Sequence, residues 1–169
     1  MDKILFNEQQ ILDRTQLIAN QINQDYKDKQ LTLIAILNGS VVFFADLIKK
    51  ITIPMQIDCL GVSSYQGTKS TGNVVFRQNK LQDFTDRHIL LVDDILDTGL
   101  TLKATTEKFL NETNALSVNS CVLLSRKNNK HKLLIPRYTA FEISNEFVVG
   151  YGLDYNEEFR NLPHIEIFR

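Results

Sequence analysis

Neither sign of charge is in surplus in this chain: 19 Lys and Arg against 20 Asp and Glu leave a net charge of -1. That balance argues against a general nucleic-acid or membrane surface, either of which needs a basic excess. Long apolar runs are missing too. None approaches the roughly 18 residues of a membrane span, and the opening Met1-Asp2-Lys3-Ile4 lacks the apolar segment of a secretory signal. Cysteine is scarce. Cys59 and Cys121 both fall in strand-like apolar patterns, so two buried thiols in a reducing cytoplasm are expected rather than a disulfide. His88, His131 and His164 are scattered without metal-ligand spacing and read as surface or structural groups. No linker, repeat or low-complexity stretch interrupts the sequence. What is present is ordinary for a globular protein: 169 residues, 43% apolar and 23% charged, read as one domain over residues 1–169 with one core.

Apolar residues at helical spacing (Ile11, Leu12, Thr15, Ile18, Ala19, Ile22) predict a first helix, with Asn7 and Gln10 able to cap it. Residues 31–37 (LTLIAIL) are a continuous apolar run, the pattern of a strand covered on both faces. Asn38-Gly39-Ser40 breaks it before a helix over 41–50. Residues 57–65 predict a second strand, 74–76 a short hairpin strand, and 89–92 a central strand. A helix over 102–110 and a strand over 118–124 follow, then a basic stretch over 126–132 and apolar segments at 140–143 and 147–149. Strands alternating with helices imply an α/β fold, a mainly parallel sheet with helices on both faces.

Residues 90–102 (LLVDDILDTGLTL) carry most of the chemistry. An apolar run ends in Asp93 and Asp94; then come Asp97 and the polar turn Thr98-Gly99-Leu100-Thr101, after which the pattern turns helical. Ligands of open α/β sheets bind at the carboxyl ends of strands. The turn suits a small anion, with hydroxyl donors, free backbone N–H groups and a helix dipole. Asp93 and Asp94 repel an anion, so they must face something else, and a sugar diol or a metal fits. Phosphate donors beside hydroxyl acceptors are what a ribose 5-phosphate needs.

Each segment also has a plainer reading. Asp93 and Asp94 suit a solvated acidic turn, or the Mg²⁺-binding acids of a receiver domain. Asp97 suits a helix N-cap. Asn38-Gly39-Ser40 suits a simple turn and Ser64-Tyr65 an ordinary surface loop. Arg126 suits a solvated basic turn, Phe147 and Val148 the core of a last strand, and Asp154 a turn.

The 90–102 loop resembles the phosphoribosyl-diphosphate (PRPP) motif of type I phosphoribosyltransferases. Leu37-Asn38-Gly39-Ser40, Ser63-Ser64-Tyr65, Leu123-Leu124-Ser125-Arg126 and residues 147–155 (FVVGYGLDY) with Arg160 narrow the resemblance to the hypoxanthine-guanine phosphoribosyltransferases. It runs in order from about Leu5 to Pro163. The resemblance implies the type I fold with a small hood made by the terminal segments. It implies transfer of 5-phosphoribose from PRPP to hypoxanthine or guanine, giving IMP or GMP and pyrophosphate, with Mg²⁺. A cytoplasmic homodimer or homotetramer without nucleic-acid or membrane partners is expected.

The resemblance also distributes roles. Asp93 and Asp94 hold the ribose hydroxyls, in part through Mg²⁺, and Asp97 is the general base or acid near purine N7. Asp97, Thr98, Gly99, Leu100 and Thr101 take the ribose phosphate. Asn38, Gly39, Ser40 and Arg160 take pyrophosphate. Ser64 and Tyr65 open a lid that excludes water. Arg126, Phe147, Val148 and Asp154 meet the purine, and Asp154 joins Asp93 and Asp94 as a metal ligand. Three residues depart from the family pattern. Asp93 stands for Glu and is shorter by one methylene, ~1.5 Å of reach. Asn38 replaces a Lys or Arg, and Arg126 replaces a lysine that contacts purine O6. A cationic donor there selects an oxo over an amino group. Alternative readings are transfer to another base such as xanthine, a PRPP-sensing RNA-binding regulator on the same fold, and the receiver domain.

Overall fold

The computed structural model describes residues 3–64, 74–77, 83–127 and 133–169. The chain order is β1 (Lys3–Phe6), α1 (Glu8–Asp25), β2 (Leu31–Leu37), α2 (Val41–Ile48), β3 (Met55–Ser64), β4 (Val74–Phe76), β5 (His88–Leu96), α3 (Leu100–Glu112), β6 (Ser117–Arg126), β7 (Tyr138–Ile143), β8 (Val148–Val149) and β9 (Ile165–Ile167). Six strands form the main sheet in the order β4-β3-β2-β5-β6-β7. All its neighbours are parallel except the β3–β4 hairpin. A second, three-stranded sheet, β1-β9-β8, is antiparallel and forms the hood.

The pleat explains how one sheet supports two cores. Successive strand residues face opposite sides. Leu31, Leu33 and Ala35 of β2 and Leu90 and Val92 of β5 pack with α1, α2 and the hood residues Val148, Tyr151 and Ile165. Ile34, Ile36, Ile89 and Leu91 pack on the other side with Leu102 and Phe109 of α3. The continuous apolar run of β2 is therefore what a strand buried on both faces requires. Helix α1 starts where its cap predicts: Asn7 accepts from the Gln10 N–H at 2.9 Å, and the Gln10 side chain accepts from the Asn7 N–H at 2.9 Å.

Three expectations are corrected. The central strand does not stop at Val92; it continues to Leu96, so both acids belong to β5. Helix α3 begins at Leu100 and runs to Glu112. Cys59 is exposed while Cys121 is buried, and both are free thiols. Among the described residues β4 pairs with Val62, Ser63 and Ser64, α2 packs on β2 and β5, and Ile57 and Cys59 of β3 stay exposed. His88 and His164 are structural, as their isolation predicted: His88 meets the Ser117 hydroxyl at 2.8 Å, and His164 meets Glu166 at 3.0 Å.

Candidate active site

The main sheet reverses its winding between β2 and β5. From β2 the chain steps to β3 on one side, and from β5 it steps to β6 and β7 on the other. A crevice forms at the carboxyl ends of strands at such a switch point. Two of the segments singled out in the sequence leave from there, Asn38-Gly39-Ser40 after β2 and Asp97–Thr101 after β5. Arg126 closes β6 beside them, and the hood brings residues 147–160 over the same end.

Asp93 and Asp94 are deep in this crevice. Asp93 is 7% exposed. Its Oδ1 accepts the Asp94 N–H at 3.0 Å, while Asp94 Oδ1 accepts the Ile95 N–H at 2.7 Å. The two carboxyls are themselves hydrogen-bond partners, and neither has a salt bridge among the described residues. Burial, then the neighbouring Asp94, pushes the Asp93 carboxyl well above the ordinary range, and burial raises Asp94 too. A largely buried acid pair with no salt bridge of its own among the described residues fits hydroxyl donors or a cation. Oxygen-only donors suit Mg²⁺, and two carboxylates leave most of its ligand positions to water and substrate oxygens.

Asp154 does not extend this pair. Its Oδ1 binds Arg160 at 2.8 Å and its Oδ2 accepts the Glu157 N–H at 2.9 Å. No group of three or more His, Cys, Asp or Glu able to hold a metal occurs among the described residues. The expected set of Asp93, Asp94 and Asp154 is therefore divided: the first two fit a cation, and the third serves an arginine and a turn.

Like charges buried together also set a stability prediction. The fold favours protonated Asp93, so its contribution is complete below the ordinary carboxylate range and is lost as pH rises through the raised pKa. Asp93→Asn should raise the neutral-pH Tm of the ligand-free protein, each ~1 kcal/mol of relief giving ~2–4 °C at this size. Its advantage over the native chain should shrink toward pH 4–5, where carboxylates ordinarily begin to protonate, roughly 3.9 for Asp. Thermal melts at both pH values check this, and a variant less stable at neutral pH contradicts it.

The anion turn follows. Gly99 has φ +82 and is the N-cap of α3; a Cβ there lies 3.2 Å from Leu96 Cδ1, so glycine suits both the dihedral and the space. Asp97 is not the cap, contrary to its plainer reading. The Thr98 hydroxyl accepts the Leu100 N–H at 3.3 Å, and the Thr98 carbonyl accepts the Leu133 N–H at 3.1 Å. The first N–H groups of α3 have no partner inside the helix, and the Thr101 hydroxyl makes no bond among the described residues. Helix dipole, backbone donors and hydroxyls at the start of α3 are the groups that suit a small anion.

The loop after β2 packs against the acids and the hood. A Cβ on Gly39 falls 1.8 Å from Asp94 Oδ2, and one on Gly152 falls 2.1 Å from the Gly39 carbonyl oxygen. The two glycines let three chain segments touch. The Leu37–Asn38 peptide bond is cis, and Asn38 is exposed. Ser40 is fully buried, and its hydroxyl donates to the Ile36 carbonyl at 2.6 Å. Its expected contribution to an anion site is thus limited to the backbone. Arg160 donates to the Gly152 carbonyl at 2.8 Å and pairs with Asp154 and Glu157, and its charge is felt at Asp94.

On the β6 side, Arg126 Nη1 donates to the carbonyls of Ser144 and Glu146 at 3.1 and 3.0 Å. Its Nε lies 3.7 Å from Asp97 Oδ1, and the Asp97 side chain is 61% exposed. A guanidinium with one nitrogen committed to the backbone is a rigid donor. Phe147 is not core. It is half-exposed and meets Tyr155 and Phe168 edge to face, each with centroids 6.0 Å away, whereas its neighbour Val148 is buried. A half-exposed aromatic ring beside a fixed cation suits a flat polar ring. Ser64 ends β3; Tyr65 and the rest of the expected lid lie outside the described residues, as does His131.

Sequence patterns did not single out Tyr151, Asp46, Gly152 or Glu146. Tyr151 lies inside the 147–155 motif but was given no role of its own. The glycines on both sides of it were the available signal, since Gly150-Tyr151-Gly152 predicts unusual backbone.

The chain is similar to known proteins along nearly its whole length. Residues 2–156 match the phosphoribosyl transferase domain family. A Streptococcus pneumoniae protein named hypoxanthine-guanine phosphoribosyltransferase is 41% identical over 168 residues, 99% of this chain and 93% of the relative. A Staphylococcus epidermidis protein of the same name is 40% identical over 166 residues, 98% and 92% of the two chains. The crystal structure of a hypoxanthine phosphoribosyltransferase from Staphylococcus aureus superposes with a TM-score of 0.92 at 38% identity, covering 99% of this chain and 91% of the other. A Bacillus anthracis hypoxanthine-guanine phosphoribosyltransferase superposes with a TM-score of 0.92 at 34% identity, covering 100% and 99%. The receiver-domain and RNA-regulator alternatives find no support in these likenesses. The chain belongs to the phosphoribosyl transferase family, among its hypoxanthine-guanine phosphoribosyltransferases.

Proposed function

We propose that this phosphoribosyltransferase moves the 5-phosphoribosyl group of PRPP onto hypoxanthine or guanine, forming IMP or GMP and pyrophosphate. The observation that supports it most is the shared crevice at the β2–β5 switch point. A helix-N-terminal anion turn and a buried acid pair meet there, with an open aromatic ring and an anchored guanidinium beside them.

Thr98, Gly99, Leu100 and Thr101 hold the 5-phosphate at the start of α3. Asp93 and Asp94 accept from the ribose hydroxyls. Asp93 and Asp94 would also hold Mg²⁺, which would supply charge screening for the departing pyrophosphate. Asn38, Gly39 and Arg160 face the pyrophosphate. Phe147 stacks on the purine, the Val148 backbone meets its edge, and Arg126 donates to O6. Asp97 takes or shares the ring proton as N9 bonds to C1 of the ribose, with inversion at C1. Free thiols on β3 and β6 suit a reducing cytoplasm. Among the described residues no helix is long and apolar enough to cross a membrane. Residues 1–169 act as one domain, since the hood shares a core with α1 and α2, and a homodimer or homotetramer is the expected assembly. EDTA should abolish turnover of hypoxanthine with PRPP and added Mg²⁺ should restore it; full activity in EDTA contradicts the metal dependence.

The departures at Arg126 and Asn38, two positions where the family carries a cation, predict separable effects. Arg126→Ala should raise KM for hypoxanthine and guanine about tenfold to a hundredfold, the ~1.5–3 kcal/mol of a charged hydrogen bond, with KM for PRPP within about twofold. Asn38→Lys should lower KM for PRPP by no more than about fivefold, since an exposed charge pair gains ~1 kcal/mol at best. Initial rates with both substrates varied check both. Unchanged base KM values in Arg126→Ala would transfer the O6 role to Lys127.

A further inference from the structure

Tyr151 is 2% exposed and has φ +53 between Gly150 at φ +98 and Gly152 at φ +100. A tyrosine seldom adopts this backbone, and here it turns the ring inward to two helices. The hydroxyl donates to Asp46 Oδ2 of α2 at 2.6 Å and also meets Thr15 of α1. Asp46 pairs in turn with Lys49. Around Tyr151 the hood loop is tied to itself: Tyr151 N–H to the Leu162 carbonyl, Gly152 N–H to the Arg160 carbonyl, both 2.9 Å, and Arg160 Nη1 back to the Gly152 carbonyl at 2.8 Å. Gly152 then sits directly on the carbonyl of Gly39. Helix α2 begins immediately after Asn38-Gly39-Ser40. It therefore holds one wall of the pyrophosphate crevice covalently and the other through a phenol. A buried hydroxyl stabilises nothing unless it is paired, and phenylalanine fills the same ring volume, so core packing alone does not call for this oxygen.

We infer that Tyr151 is a positioning residue: its hydroxyl, anchored on Asp46, fixes Gly152 and Arg160 relative to Gly39 and so sets the grip on pyrophosphate. This rests on the pyrophosphate assignment made above. Tyr151→Phe should raise KM for PRPP and the Kd for pyrophosphate with Mg²⁺ by a common factor of about threefold to tenfold, leaving kcat and KM for hypoxanthine within about twofold. Asp46→Ala should reproduce that pattern. Asp46→Asn, which keeps an acceptor oxygen, should restore near-native values. Steady-state kinetics combined with calorimetric titration of pyrophosphate and thermal melts read all three variants. A lowered Tm with unchanged pyrophosphate affinity overturns the inference, as does an equal rise in both KM values. If Tyr151→Phe does not fold, Asp46→Ala decides the matter by the same readings. A native protein that binds pyrophosphate but converts no purine defeats the proposed reaction and leaves the binding comparison standing.

Discussion

Asp97→Asn is expected to lower kcat by about 10²–10⁴-fold, the usual worth of a general acid or base, with the Tm unchanged. The separation follows from geometry. Asp97 is the first residue beyond β5, its side chain is mostly exposed, and the Arg126 guanidinium is beside it. It does not start α3, whose N-cap is Gly99. Asparagine keeps the size and removes the proton acceptor, so the helix and the anion turn should survive. KM for PRPP should stay within about threefold, because a general base acts in the transition state rather than in ground-state binding. Rapid-quench measurement of the chemical step, with melts as a control, checks this. A kcat within about twofold of native, a difference below ~0.5 kcal/mol in the barrier, removes Asp97 from proton transfer.

Gly152→Ala should produce the largest loss of stability. Two costs combine: a non-glycine residue at φ +100, and a Cβ placed 2.1 Å from a backbone oxygen. Backbone strain of this kind is worth ~1–3 kcal/mol and overpacking a further ~1–3 kcal/mol. At ~2–4 °C per kcal/mol the Tm should fall by roughly 5–20 °C. KM for PRPP should rise as the hood loop is pushed off Gly39. Gly39→Ala offers the contrast. Its clash is with the Asp94 carboxylate, a side chain that can swing away. Stability should fall less there, while activity falls more, because the displaced group is one of the two acids proposed to hold the ribose. Melting and PRPP kinetics on the pair test this ordering, and a Gly152→Ala protein with native Tm and native KM contradicts it.

The parts of the fold that read well from sequence are those whose partners lie close in the chain or whose burial is complete. The β2 run, apolar but for the buried Thr32, marked its own ends at Leu31 and Leu37. The Asn7–Gln10 box fixed the start of α1. Strand β5 was cut short because two acids look like a loop; the ladder to β6 nonetheless pairs Asp93 with Val122 and Ile95 with Leu124. Strands β1 and β9 are short and depend on each other across the length of the chain, Lys3 opposite Ile167, so only the general idea of a terminal hood was legible.

The site divides in the same way. The sequence placed its residue types at the strand ends, but it could not show which side chains were already engaged. Ser40 turns inward to Ile36, Asp154 serves Arg160, and Arg126 is half committed to the carbonyls of Ser144 and Glu146. Those bonds span turns of the backbone rather than patterns of residue type. Phe147 stays half-exposed although Tyr155 and Phe168 both meet it at steep angles, and that too depends on residues far apart in the chain.

The most direct test of the assigned reaction is incubation of the purified protein with PRPP, Mg²⁺ and one free base at a time, following nucleotide formation by absorbance and pyrophosphate release. Hypoxanthine and guanine should yield IMP and GMP with stoichiometric pyrophosphate. Adenine should react at least about a hundredfold more slowly in kcat/KM, because a guanidinium facing an amino group leaves both donors unpaired. Equal turnover of adenine, or no nucleotide from any purine, would contradict the account.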